Sequence, residues 1–351
     1  MRRAAIALLV VLLFGCASQP KQTLAPPEYP PPPAEPRFIY DGTLRSNKDI
    51  ETITLGDRLQ SFATGADVRA QGLAKPYGVA VRNGRVYVTD TQQRAVVLFD
   101  IPDRSYKLFG TDGPGSLLKP LGIDISGRGE VFVVDNTARR IVVYDADGNF
   151  LRAFGDPKQL VRPSSVALSP DDRRAYVVDT GGVDSEHHRI LVYDADSGEL
   201  LDTIGRRGSN PGELNLPLQA ATGPDGNIFV VDGGNFRVQT FSPDGEPLNT
   251  FGRPGRRSGQ FARPKGIAVD AEGHVYVADT AFGNVQIFDR DGTLLLHIGE
   301  RSTSGGPGRY MLPADVAVDA MGRLYIVDQF FRKVDVIRPV DAPSLGALPK
   351  Q

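Results

Sequence analysis

The chain of 351 residues has one cysteine, Cys16, and no tryptophan. A single thiol cannot form an internal disulfide, so the fold must stand on its packed core, and a cysteine-rich zinc site is excluded. Histidine is scarce too: His187, His188, His274 and His297 are the full set. Neither sign of charge dominates, with 40 Lys+Arg against 42 Asp+Glu, so the strong basic excess of a nucleic-acid binder is missing. The longest apolar run, residues 4–14, falls short of the roughly 20 residues that a spanning helix needs. Also absent are the Gly-x-Ser-x-Gly elbow of hydrolases, a phosphate-binding Gly-rich loop and a zinc-protease helix motif.

Present instead is a phrase repeated six times: an aromatic residue, two aliphatic or small residues, then aspartate. It reads Tyr87-Val-Thr-Asp90, Phe132-Val-Val-Asp135, Tyr176-Val-Val-Asp179, Phe229-Val-Val-Asp232, Tyr276-Val-Ala-Asp279 and Tyr325-Ile-Val-Asp328. By subtraction the aspartates fall 45, 44, 53, 47 and 49 residues apart, a period that marks propeller blades. Ahead of each phrase a strand opens on proline, as in Pro76-Tyr-Gly-Val-Ala-Val and Pro264-Lys-Gly-Ile-Ala-Val, and a tight turn such as Asn83-Gly84 joins the two. A third strand follows, such as Val285-Gln-Ile-Phe288, and a fourth ends in Phe-Gly or Ile-Gly.

These strings resemble the NHL-repeat family of six-bladed propellers over roughly residues 73–338. The resemblance implies an all-β fold: a six-bladed β-propeller of four-stranded antiparallel blades. The sixth repeat lacks its own fourth strand and runs into Pro339, so a segment near the N-terminus is expected to close the last blade and cover its edge. The expected strand is Phe38 to Leu44; the alternative is residues 59–62. The propeller is thus expected over residues 37–340, with residues 341–351 as a C-terminal tail.

At the start, Arg2 and Arg3 precede the apolar run, and Leu13-Phe-Gly-Cys16 closes it. That tetrapeptide resembles a bacterial lipobox. The resemblance implies a lipoprotein signal peptide over residues 1–15, cleavage before Cys16, and a lipid on Cys16 whose two or three acyl chains anchor stably. Ala17 rather than aspartate after the cysteine resembles the sorting signal for the outer membrane. The expected location is therefore the cell envelope, lipid-anchored, at the outer membrane facing the periplasm. Residues 16–36, rich in proline, read as an extended tether that spans up to ~60 Å at about 3.1 Å per residue.

Because consecutive strands alternate in direction, short turns gather on one face of the ring and long, variable loops on the other. Binding is expected on the long-loop face. There the loops after blades three, four and five hold Arg206, Arg207, Arg253, Arg256, Arg257, Arg263, Arg301 and Arg309 against only Glu213 and Glu300, and the second-to-third loops of blades four to six add Phe236, Phe282, Phe330 and Phe331. Arginine and aromatic side chains on one face suit a contact surface. Asp124, Gln219 and Asp315 stand in the inner strands where other blades have small residues, and are expected to line an axial channel.

The six strand-end aspartates recur in every blade, so they read as structural acceptors of backbone N–H bonds. The Asp-x-Asp strings at Asp145, Asp194 and Asp289 read as hairpin turns, since they lack the remaining ligands of a calcium loop. The histidines are not placed to supply three zinc ligands. Neither a catalytic set, a metal nor a cofactor is expected. The expectation is a non-catalytic scaffold in the cell envelope that binds a protein or peptide, with no nucleic acid. The alternatives are a hydrolase or lyase with a channel cation, as resemblance to lactonase-like and amidating-lyase-like propellers implies, or a module that binds polysaccharide.

Overall fold

The computed structural model describes residues 25–51 and 71–347. Six antiparallel sheets stand around one axis, five of four strands and the sixth of five. The first blade is typical, with strands Pro76–Arg82, Arg85–Asp90, Ala95–Asp100 and Ser105–Phe109 from the axis outward. Val, Ile, Tyr and Phe alternate through the second and third strands and are buried on both faces, because each blade packs against a neighbour on either side. Six apolar clusters result, and most bridge two blades, as where Tyr87 and Phe109 meet Val131 and Tyr144.

Each inner strand carries an irregularity just after its proline, as between Pro120 and Ile123. It bends the strand where six of them converge. Convergence also dictates residue size. A Cβ on Gly122 would lie 2.5 Å from the Ser165 Cα, and one on Gly266 would lie 2.6 Å from the Asp315 Cα.

The sixth blade comprises Pro313–Val318, Leu324–Asp328 and Lys333–Pro339, and its fourth strand is Phe38–Leu44 from the front of the chain. The register runs from Phe38 opposite Pro339 to Leu44 opposite Val334. This is the expected closure; the alternative at residues 59–62 lies outside the described residues. One boundary moves. Within the stretch read as tether, Glu28–Tyr29 pairs with Phe38 and Ile39 as a fifth strand. Tyr29 packs into the cluster between blades five and six, and its hydroxyl reaches the Gly308 loop. The Pro-rich run thus rejoins the ring before its end, because an aromatic residue within it finds an apolar cleft. Cys16 and the leader lie outside the described residues. No helix among the described residues is long and apolar enough to cross a membrane.

The strand-end aspartates are buried and accept backbone N–H bonds, as expected. Asp279 takes those of Ala262, Arg263, Ala281 and Phe282. The residue after several of these aspartates ties one blade to the next. Thr180 and Thr280 donate to the Pro217 and Pro313 carbonyls, Asn136 to that of Pro163, and Gln329 to that of Pro76.

Candidate functional site: the long-loop face and the axial channel

Three loops on the long-loop face share one construction. Each leaves a fourth strand through a glycine with positive φ (Gly205, Gly252, Gly299) and folds back on itself in parallel. Each buries one large side chain completely: Leu214, Phe261 or Tyr310. A side chain of the following blade's third strand then grips the loop backbone. Gln239 Oε1 accepts from Gly212 N, Gln286 Oε1 from Gly259 N, and Asp335 Oδ2 from Gly308 N. Lys333, itself buried, donates to Asp335 and to the Gly306 carbonyl. The loops are therefore rigid supports rather than floppy connections, which lowers the entropic cost of binding through them.

These loops carry the predicted arginines, and the structure divides them into two sets. Arg206 pairs with Glu213 at 3.1 Å, Arg207 with Glu186 at 3.1 Å and Arg309 with Glu300 at 3.3 Å. Arg301 donates to the Thr280 and Ala281 carbonyls. By contrast, Arg253, Arg256, Arg257 and Arg263 are exposed, and their side chains make no ion pair or hydrogen bond with any described residue. The phenylalanines are less available than their positions suggest. Phe236 packs against the cluster between blades four and five, Phe282 is half-buried, and Phe331 lies against Gly305. Phe330 alone of the four is exposed, stacked edge-on against Phe331 at 5.1 Å.

On the opposite face the charges are largely matched. Arg85 pairs with Asp100 and Asp147, Arg128 with Asp196, Arg152 with Glu130, Arg174 with Asp244, and Arg323 with Asp319. The Asp-Gly strings there are turns whose own N–H groups bond the aspartate, as Asp147 and Asn149 do to Asp145. Asp270, Glu272 and His274 cluster on this face, where His274 Nδ1 and the Tyr276 hydroxyl both meet Asp270 Oδ2.

The channel is a cavity of about 160 Å³ lined by Asp124, Gln219 and Asp315 among mostly aliphatic residues. The three predicted residues do reach it, but each ties neighbouring inner strands together. Asp124 Oδ2 accepts from Leu168 N of the next blade, Gln219 Oε1 from Ile267 N, and Asp315 Oδ2 from Val79 N. These bonds cross alternate junctions: blades two to three, four to five and six to one. The second carboxylate oxygens take Ile125 N and Val316 N. Burial pushes the Asp315 carboxyl up to about 7 and that of Asp124 up to about 6, with the backbone bonds and, for Asp315, Gln219 and Lys265 opposing it. No histidine lines this cavity. His188 is buried away from it: its Nε2 meets the Gly182 carbonyl and its Nδ1 accepts from Leu216 N.

The layer above the cavity, toward the long loops, was not predicted. There Lys265 lies with its ammonium 4.2 Å from the centre of the Tyr77 ring. Burial, then the nearby Arg263 and Lys75, push the lysine down to about 8 against the pull of Asp315. The only sequence signal was a lysine where other blades have Tyr, Leu, Ser or Ala.

The fold and its repeats define a six-bladed β-propeller. Residues 261–288 match the NHL-repeat family model. Solved structures with the same fold include a protein of unknown function from Bacteroides thetaiotaomicron, at 20% identity and TM-score 0.61 over 78% of this chain and 71% of that one. A gluconolactonase from Xanthomonas campestris follows at 19% and 0.58, over 76% and 86%. A catalytically inactive variant of virginiamycin B lyase from Staphylococcus aureus, solved with quinupristin, matches at 18% and 0.54, over 77% and 86%. At such identities the likeness is one of fold.

Proposed function

We propose that this chain is a non-catalytic binding module of the cell envelope, tethered through lipid on Cys16, whose long-loop face holds an acidic protein or peptide. The observation that carries the reading is the set of arginines Arg253, Arg256, Arg257 and Arg263, left without ionic partners among the described residues on rigid loops while the opposite face pairs its charges. Unmatched guanidinium groups carried on fixed loops suit bidentate contacts to carboxylates. Capture from envelope extract with the purified protein tests it. The Arg256→Glu, Arg257→Glu double variant should lose its captured partner while melting as the parent does; equal capture by both would refute the reading.

A second reading, catalysis by a cation in the channel, draws on the cavity beside Asp124 and Asp315 and on the lyase and gluconolactonase among the fold neighbours. Against it, both oxygens of each carboxylate already accept backbone N–H bonds, one from the neighbouring blade's inner strand and one from the next residue of its own. Stoichiometric zinc or calcium in the purified protein would favour it. Binding of cell-wall or capsular sugar without any protein would favour a polysaccharide module instead.

A further inference from the structure

Where the inner strands begin, their first residues meet around the axis on the long-loop side. We propose that this mouth is a binding site for a compact, multiply charged oxyanion, with Lys265 as its central ligand. The inference rests on the reading of the long-loop face as the anion-facing side, and it adds a defined site and ligand class.

Lys265 has three N–H donors. Its ammonium lies over the Tyr77 ring and hydrogen-bonds to no described residue. Asp315 beneath it supplies attraction, but that carboxylate is committed to Val79 N and Val316 N. Other cations stand near it: Lys75 and Arg263 act on Lys265, and Arg162 acts on the Tyr77 hydroxyl beneath it. Lys75, Lys119, Arg162 and Arg263 each immediately precede an inner-strand proline, and all four are exposed with no ion pair to a described residue.

Their positions are fixed from below. The backbone N–H groups of these four residues are held by Asp90, Asp135, Asp179 and Asp279 at 2.9, 3.0, 2.7 and 3.1 Å. Those aspartates are fully buried, whereas the four cationic side chains are exposed. Five like charges gathered at one mouth repel one another, and an anion seated among them relieves that repulsion. Burial is the main cause of the depressed basicity of Lys265, and Arg263 and Lys75 add to it.

The size of the ligand follows from the layer below. Tyr77 and Lys265 are not part of the cavity lining, which begins further along each strand. The anion therefore sits on the Tyr77–Lys265 stack and does not enter the channel. Phosphate and polycarboxylate groups share the required chemistry.

Calorimetric titration of the full chain with inorganic phosphate, and separately with citrate, tests the site. Saturable one-site binding of at least one probe is expected, weakened tenfold or more by Lys265→Met, which keeps the length and the contact with Tyr77. The surface pair Lys119→Ala, Arg162→Ala cannot collapse the ring and should weaken binding in the same direction. Binding of phosphate alone identifies a phosphoryl ligand, and binding of citrate alone a polycarboxylate. Binding of neither, or binding indifferent to both variants, overturns the proposal. The Arg256→Glu, Arg257→Glu variant should bind the probes as the parent does. Loss of partner capture in that variant with no probe binding in the parent would remove this site and leave the acidic-partner reading intact; the converse result would remove that reading.

Discussion

At the residue scale, a strand-end aspartate ties together the two loops that flank its strand. Asp279, itself fully buried, satisfies four backbone N–H groups of the partly buried loops around it. Asp279→Ala should therefore cost about 2–4 kcal/mol in urea unfolding, several times a typical surface change. This role was legible in the sequence because the same need recurs in every blade. Asp124, Gln219 and Asp315 line the cavity, and their role as strand ties is not legible in the sequence, since each bonds a residue on another blade, far away in the sequence. Asp315 also has a pH signature. Its folded value of about 7 lies above the unfolded value near ~3.9, so the native state binds more protons between those limits. Its contribution to stability is full below about pH 4 and falls as pH rises toward 7. Asp315→Asn should flatten the fall in melting temperature between pH 5 and pH 8, and an unchanged slope would place the titration elsewhere.

At the element scale, the closing strand decides whether the ring exists. Lys333–Pro339 would present an unpaired edge without Phe38–Leu44, and unpaired edges recruit other chains. Deletion of residues 1–24 should leave the melting temperature unchanged, whereas deletion of residues 1–44 should give oligomers and a broadened transition by size-exclusion chromatography and melting. Closure itself could be argued from the missing fourth strand of the sixth repeat. The added Glu28–Tyr29 strand could not, because proline density hid one tyrosine whose partner loop is nearly 280 residues away. The clasped loops were seen as long and arginine-rich. That Gln239, Gln286 and Asp335 lock them was hidden, since these residues replace apolar ones only in blades four to six.

At the scale of the whole molecule, ring closure turns sequence into field. Lys75, Lys119, Arg162 and Arg263 are separated by tens of residues and look like isolated surface charges until six blades bring them to one mouth. Nor does any periodicity connect Tyr77 with Lys265; only the geometry of blades one and five does. The net charge of -2 conceals this arrangement, because a sum over paired and unpaired groups says nothing of where the unpaired cations gather. We propose that the long-loop face is where an acidic partner is held. A photo-crosslinking residue placed in cells at Arg256, and as a control at Asp291 on the opposite face, tests it most directly. The account predicts one discrete acidic adduct from position 256, abolished by Arg257→Glu and absent from position 291. Equal adducts from both faces, or one from position 291 alone, would contradict it.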